Sequence, residues 1–239
     1  MKSPLFNTHN AIFKFVFGLF ICLIAAQLSG NMRAQSSVGE DDGDTERGET
    51  QYRPEIAFKI KIYKALEATI ETRAIVRRRE EEFRDRYSLT YTWQPSKYVQ
   101  IEPEYLFQAE REVRGETEFE HRLRFSVTGI LPLGKWKLSD RNLIERRYIE
   151  GERSFRYRNR PALEREFTVH GKKFSAYILD EAYYDSRVRT WRFNRLYVGA
   201  EHSLNKRLSA KVYYFRQNGK TNLSPNLHVI GTELTIRLR

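Results

Sequence analysis

The stretch FEHRLRFSV, residues 119–127, decides the fold. Phe119, Leu123, Phe125 and Val127 stand on one parity, and Glu120, Arg122, Arg124 and Ser126 on the other, with His121 as the exception on the apolar side. Successive side chains of a strand point to opposite faces, so a period of two gives one apolar and one charged face. In a helix the same residues would scatter around the cylinder without forming a stripe.

The pattern extends in both directions. Upstream, Ile56, Phe58, Ile60 and Ile62 alternate with Ala57, Lys59, Lys61 and Tyr63. Leu66 to Ala74, Tyr87 to Trp93, and Val99 to Phe107 follow the same rule. Downstream the polar parity carries more charge. Arg141, Glu145 and Arg147 share a face, and so do Arg156, Arg158, Arg160, Glu164 and Glu166. Leu196, Val198 and Ala200 oppose Arg195, Tyr197 and Glu201, and Ile230, Leu234, Ile236 and Leu238 oppose Glu233 and Arg237. About eleven segments emerge, each near the roughly 9–11 residues that a tilted strand needs to cross a bilayer, or longer.

The connections alternate in character. Tight ones fall near Lys64-Ala65, Gln94 to Lys97, Pro132 to Lys135, His170 to Lys173, and Asn205 to Arg207. Looser polar ones fall at Arg78 to Glu82, Arg111 to Thr117, Ile149 to Glu152, Arg187 to Thr190, and Asn218 to Pro225. Short turns at one end and longer loops at the other predict an all-β, antiparallel transmembrane β-barrel. Single-chain bacterial barrels have even strand numbers, so the expectation is twelve strands, with ten as the alternative. The unseen strand is placed near Thr45 to Arg53. Trp93, Tyr98, Trp136, Tyr148 and Trp191 lie near strand ends, as in an interfacial aromatic girdle. A soluble sandwich and a barrel with an apolar interior are the competing all-β readings.

Composition agrees with an ordered exported chain. Of 239 residues, 13% are aromatic, which argues against disorder. The single cysteine, Cys22, excludes a disulfide framework. Residues 1–34 read as a cleaved signal peptide: Lys2 and Lys14 precede or open an apolar run from Phe15 to Ala26, and a cleavage site follows Ala34. Residues 35–52 form a polar, acidic lead-in expected to be disordered, and residues 53–239 form the barrel. The formal charge is +11 in the full chain; without the three basic residues of the signal, 39 basic and 31 acidic residues remain. The acids of the lead-in lack the spacing of a calcium loop. The C-terminal residues Gly231, Leu234, Ile236 and Leu238 resemble the terminal strand read by the outer-membrane assembly machinery, although the chain ends Leu238-Arg239 without an aromatic residue.

Several stretches occur in a telling order: Leu138-Ser139-Asp140-Arg141-Asn142, Glu145-Arg146-Arg147, Arg156-Tyr157-Arg158-Asn159-Arg160, Asp180-Glu181-Ala182-Tyr183-Tyr184, and Phe193 to Gly199. In that order the chain, from about Arg53 to Arg239, resembles a bacterial family known as domain of unknown function 2490. The resemblance implies an outer-membrane barrel and brings no reaction, substrate or catalytic residue.

In a barrel the polar parity faces the lumen. The expected lumen ladder comprises Arg122, Arg124, Arg141, Glu145, Arg147, Arg156, Arg158, Arg160, Glu164, Glu181, Arg195 and Glu201. One reading makes it a salt-bridged filler leaving at most a narrow channel; another makes it the cationic constriction of a small-solute porin. A barrel lipase or deacylase is a third reading. His121, His202 and His228 fall on the apolar parity without a serine partner, and neither G-x-S-x-G nor H-E-x-x-H occurs. The sequence is therefore read as a non-enzymatic barrel, with no cofactor and no metal. Its expected partners are outer-membrane lipid and the assembly machinery. The basic run Arg77 to Arg79 is followed at once by Glu80 to Glu82, and export removes the chain from cytoplasmic nucleic acid, so no nucleic-acid partner is expected.

Overall fold

The structure, a computed structural model, describes residues 49–77, 83–111, 117–149, 151–219 and 226–238. The signal segment 1–34, the lead-in up to residue 48 and several of the looser connections lie outside the described residues. Eleven strands are described: β1 (Glu49–Tyr63), β2 (Leu66–Arg77), β3 (Phe83–Ser96), β4 (Val99–Arg111), β5 (Thr117–Leu133), β6 (Trp136–Ile149), β7 (Glu152–Val169), β8 (Lys172–Asp185), β9 (Thr190–Ser203), β10 (Leu208–Gly219) and β11 (Leu227–Leu238). They close into one barrel in chain order.

The strand count corrects the expectation of twelve, and the closure shows how an odd number is accommodated. Each strand pairs antiparallel with its chain neighbour. With eleven strands the first and last run in the same direction, so the seam must be parallel. β1 and β11 pair in this way, from Glu49 with Leu227 to Ile60 with Leu238. The four residues before the expected Arg53 boundary already belong to β1.

The tight connections hold two residues each at Lys64-Ala65, Lys97-Tyr98, Gly134-Lys135 and His170-Gly171, and four at Leu204 to Arg207. His170 (φ 48°) and Gly171 (φ 75°) are both left-handed, as a type I′ hairpin requires. These turns define one end of the barrel, here the turn end; the other connections define the loop end.

The outer wall carries the apolar parity. Ile56, Phe58 and Ile60 of β1, and Leu123, Phe125, Val127, Leu131 and Leu133 of β5, point away from the lumen, the last five of them exposed. Tyr63, Trp93, Tyr98 and Trp136 ring the turn end, and Tyr148 and Trp191 stand toward the loop end. The interior is mixed. Buried Arg and Glu side chains share it with Ile75, Leu106, Leu143, Tyr183 and an aromatic-aliphatic cluster of Tyr213, Phe215, Leu227 and Val229.

Candidate functional site

Two regions of the lumen and one of the outer wall combine polar groups in ways that need explanation. The loop-end half of the lumen is filled by ion pairs centred on Glu145 of β6, whose side chain is fully buried. Arg124 Nε donates to Glu145 Oε2 at 2.6 Å, and Arg158 from β7 donates to the same oxygen at 2.7 Å. Arg156, Arg122 and Arg147 lie 3.6, 3.9 and 3.9 Å away. Around this centre, Arg122 and Arg147 both bond Glu120, Arg156 donates to Asp185 at 2.7 Å, and Arg124 reaches Glu104 at 2.8 Å. Adjacent strands deliver these groups because the residues are directly paired: Arg124 with Glu145, Glu145 with Arg156, and Arg156 with Asp185. Same-face cross-strand neighbours sit close enough for charge pairing.

Of the expected ladder, the register brings together Arg122, Arg124, Glu145, Arg147, Arg156 and Arg158. Arg141 bonds Glu181 at 3.3 Å, and Glu181 also accepts the Tyr183 hydroxyl at 2.5 Å. Glu164 pairs with Lys137 at 2.6 Å near the turn end. Arg160, Arg195 and Glu201 line the lumen but join no ion pair among the described residues. Gly231 lies on the lumen parity beneath the Tyr213 ring, while Leu234, Ile236 and Leu238 face outward. Glu120 already stood on the charged parity in the sequence, whereas the sequence reading did not single out Asp185, Arg53, Arg73 and Arg86, the last three on strands with fewer charges.

The turn-end half of the lumen is open. A cavity of about 520 Å³ is lined by eleven basic and eight acidic side chains, from Lys59, Lys137 and Lys211 near the mouth to Arg53, Arg86 and Arg158 at depth. Glu120, Arg147, Arg156 and Asp185 of the filled half take no part in its wall.

The outer wall is mainly apolar, and on β6 to β9 it carries a group of hydrogen-bonded polar side chains. There Asp140, Asn142, Tyr157, Asn159, Asp180 and Asn194 point outward. Asn159 Nδ2 donates to Asp140 Oδ1 at 2.8 Å and to Asn142 Oδ1 at 3.3 Å. Asn142 Nδ2 donates to Asp140 Oδ2 at 3.2 Å, and the Tyr157 hydroxyl donates to Asn142 Oδ1 at 2.5 Å. Next to this group, Asn194 Nδ2 donates to Asp180 Oδ1 at 3.0 Å. Asn159 pairs with Ala182, one same-face step from Asp180, a diagonal of about 7–8 Å. Asn142 and Asn159 are direct partners near the middle of β6 and β7, and Leu138, Ile144, Leu163, Ile178 and Leu196 surround the patch.

The three outward histidines lie elsewhere. His121 bonds the Tyr105 hydroxyl at 2.7 Å, His228 bonds that of Tyr214 at 2.6 Å, and His202 meets the Lys173 carbonyl at 2.9 Å.

The outward patch draws its residues from the same stretches that order the sequence: Asp140 and Asn142 from the first, Tyr157 and Asn159 from the third, then Asp180 and Asn194. Residues 50–226 match the family described as protein of unknown function, DUF2490. The chain belongs to that family. No curated protein matches it. Among solved structures it is similar to LpxR from Salmonella typhimurium, at 7% identity and a TM-score of 0.54, over 76% of this chain and 87% of that one. LpxR is an outer-membrane enzyme. The reading of this chain as a non-enzymatic barrel is therefore corrected: this architecture is compatible with catalysis. At 7% identity the likeness concerns the fold and assigns no role to any residue.

Proposed function

We propose that this DUF2490 protein is an outer-membrane barrel whose loop-end lumen is closed by its salt-bridged filler and whose outer wall acts on membrane lipid. One observation carries the reading: Asp140, Asn142, Asn159 and Asp180 face outward at mid-wall, where a spanning barrel meets hydrocarbon. Ionisable groups at that depth are expensive and mark function by default. Among the described residues Asp140 and Asp180 join no ion pair, and their hydrogen bonds come from the amides of Asn142, Asn159 and Asn194. The exposed aromatics at the two ends of the wall and the fold shared with an outer-membrane protein support the location.

The chemistry available is ester hydrolysis. Asp140, held by two amides, is placed to take a proton from water. The Asn142 amide keeps one N–H beyond the one it gives to Asp140, a donor of the kind that stabilises an oxyanion, while Tyr157 and Asn159 hold Asn142 in place. Water would then add to an acyl carbonyl of a lipid, and the alkoxide would leave with the proton held by the carboxylate. A through-pore has no support in this reading, since the network around Glu145 occupies the lumen. The filler role belongs to Arg122, Arg124, Arg141, Glu145, Arg147, Arg156, Arg158 and Glu181.

The test is mass spectrometry of extracted envelope lipids from cells expressing the full chain, with membranes fractionated in parallel. The protein should enrich in the outer membrane, and a deacylated lipid should accumulate. Asp140→Asn and Asp180→Asn should lose the product while keeping the folded, heat-modifiable band. Identical lipid profiles in wild type and both variants would overturn the outer-wall reading.

A further inference from the structure

The deep wall of the cavity carries Arg53 and Arg86 without an ion-pair partner among the described residues, and Arg195, which reaches its cross-strand partner Glu181 only through the Tyr183 hydroxyl. Arg53 of β1, Arg86 of β3 and Arg195 of β9 line its depth. Among the described residues none of the three takes part in an ion pair, in contrast to Arg73 beside them, which bonds Glu55 and lies 3.2 Å from Glu71.

The three are held in place by neutral groups. Arg53 donates to Gln51 Oε1 at 2.7 Å, Arg86 to Gln108 Oε1 at 2.9 Å, and Arg195 to Gln217 Oε1 and the Tyr183 hydroxyl, both at 2.8 Å. Arg53 and Arg195 rest on one ring, their guanidinium carbons 5.0 and 5.1 Å from the centre of Phe215. Arg86 is the direct cross-strand partner of Arg73. Arg53 is only 5% exposed, and the Nε atoms of both Arg53 and Arg86 are buried without a hydrogen-bond partner.

Holding a guanidinium with an amide or a phenol fixes its direction and leaves its charge in place. Buried charge without a counter-charge is unfavourable. The same barrel neutralises its other buried arginines with Glu120, Glu145 and Asp185. Unpaired N–H groups and uncompensated charge deep in a cavity are what an oxyanion requires, because planar guanidinium forks match phosphate and carboxylate oxygens. The volume lies within the range of about 300–1,000 Å³ of small-molecule sites.

We propose that the turn-end cavity binds a small oxyanion, a phosphate or carboxylate group, on Arg53, Arg86 and Arg195. With short turns facing the periplasm, the ligand enters from that side. The site is separate from the outer-wall patch and does not depend on its activity.

The probe is inorganic pyrophosphate, added to the refolded protein in zwitterionic detergent at ionic strength balanced with sodium chloride. The readout is the thermal unfolding midpoint. A ligand that binds only the folded barrel raises it, by roughly 5 °C when present a hundredfold above its dissociation constant. Arg86→Gln should abolish that rise. It should also raise the ligand-free midpoint, because an uncompensated cation is removed, whereas loss of a structural cation would lower it. Short-chain phosphatidate in the same detergent forms the second arm. Protection by phosphatidate alone would keep the anion site and make a lipid head group the source; protection by pyrophosphate points to a free solute. The proposal is overturned if neither anion protects beyond matched chloride, or if Arg86→Gln and Arg195→Gln respond as wild type does. It is equally overturned if Arg86→Gln lowers the ligand-free midpoint. Should Arg86→Gln not assemble, Arg53→Gln, in the same site, serves with the same readouts.

Discussion

Glu145 is the residue on which the closed half of the lumen depends. Five arginines lie within 4 Å of its buried carboxylate, and the residues around it are themselves buried. Removing one partner of a buried pair leaves the others uncompensated, at a cost on the order of 3–5 kcal/mol. Glu145→Ala should therefore lower the resistance of the folded barrel to urea in detergent by about that amount. Glu164→Ala, at the half-exposed pair with Lys137, should cost less than about 1 kcal/mol. The measurement is urea titration followed by the gel shift of the folded band. Equal sensitivity at the two positions would contradict the placement of the network. The sequence placed both glutamates on the same charged parity; only burial separates them.

At the scale of elements, the parallel seam between β1 and β11 distinguishes this barrel from an even-stranded one. Ala57 and Thr235 are direct partners across it, both buried on the lumen side. With Cys22 replaced by serine, the pair Ala57→Cys and Thr235→Cys should form a disulfide under mild oxidation, seen as a reductant-sensitive mobility shift. A twelfth strand between β1 and β11 would hold them too far apart to bridge. β11 carries a second test. A Cβ on Gly231 would run into the Tyr213 ring that lies over it. Gly231→Ala should displace Tyr213 and reduce refolding yield, and Gly231→Ala combined with Tyr213→Leu should recover part of it. The expectation of a sorting strand named Gly231 for its spacing; packing gives it a different reason, the covering aromatic ring.

Within the barrel, ion pairs centred on Glu145 crowd the loop-end half of the lumen, and the cavity occupies the turn-end side. Reconstituted protein should add no stable conductance step in planar bilayers, whereas an open lumen would conduct. Combining Glu145→Ala with Arg124→Ala and Arg158→Ala removes the centre of the network, and any folded fraction should show conductance that the wild type lacks. Steady wild-type conductance that reverses its selectivity on Arg→Glu changes would restore the porin reading. This uneven distribution also explains why the charge balance of the polar parity was uninformative at the sequence level. Near equality of Arg and Glu holds for the lumen as a whole, while deep in the cavity Arg53 and Arg86 join no ion pair among the described residues and Arg195 meets Glu181 only through Tyr183.

The sequence by itself determined the strands, the face that each side chain takes and the barrel they build, but not every connection length: Ile149 to Glu152, read as loose, turns in two residues. The first three follow from a period of two and from turn chemistry, which are local. It also held every residue of the outward patch, within stretches recognisable by their order. Tertiary structure decided the rest. Closure with eleven strands rests on a seam between segments about 180 residues apart. Which arginines meet a carboxylate depends on cross-strand register, as Arg73 beside Glu55 and Arg86 beside Gln108 illustrate. The convergence of Asp140, Asn159 and Asp180 on one patch depends on the register of β6, β7 and β8. Parity places a side chain inside or outside, but only the pairing of strands in space sets its neighbours.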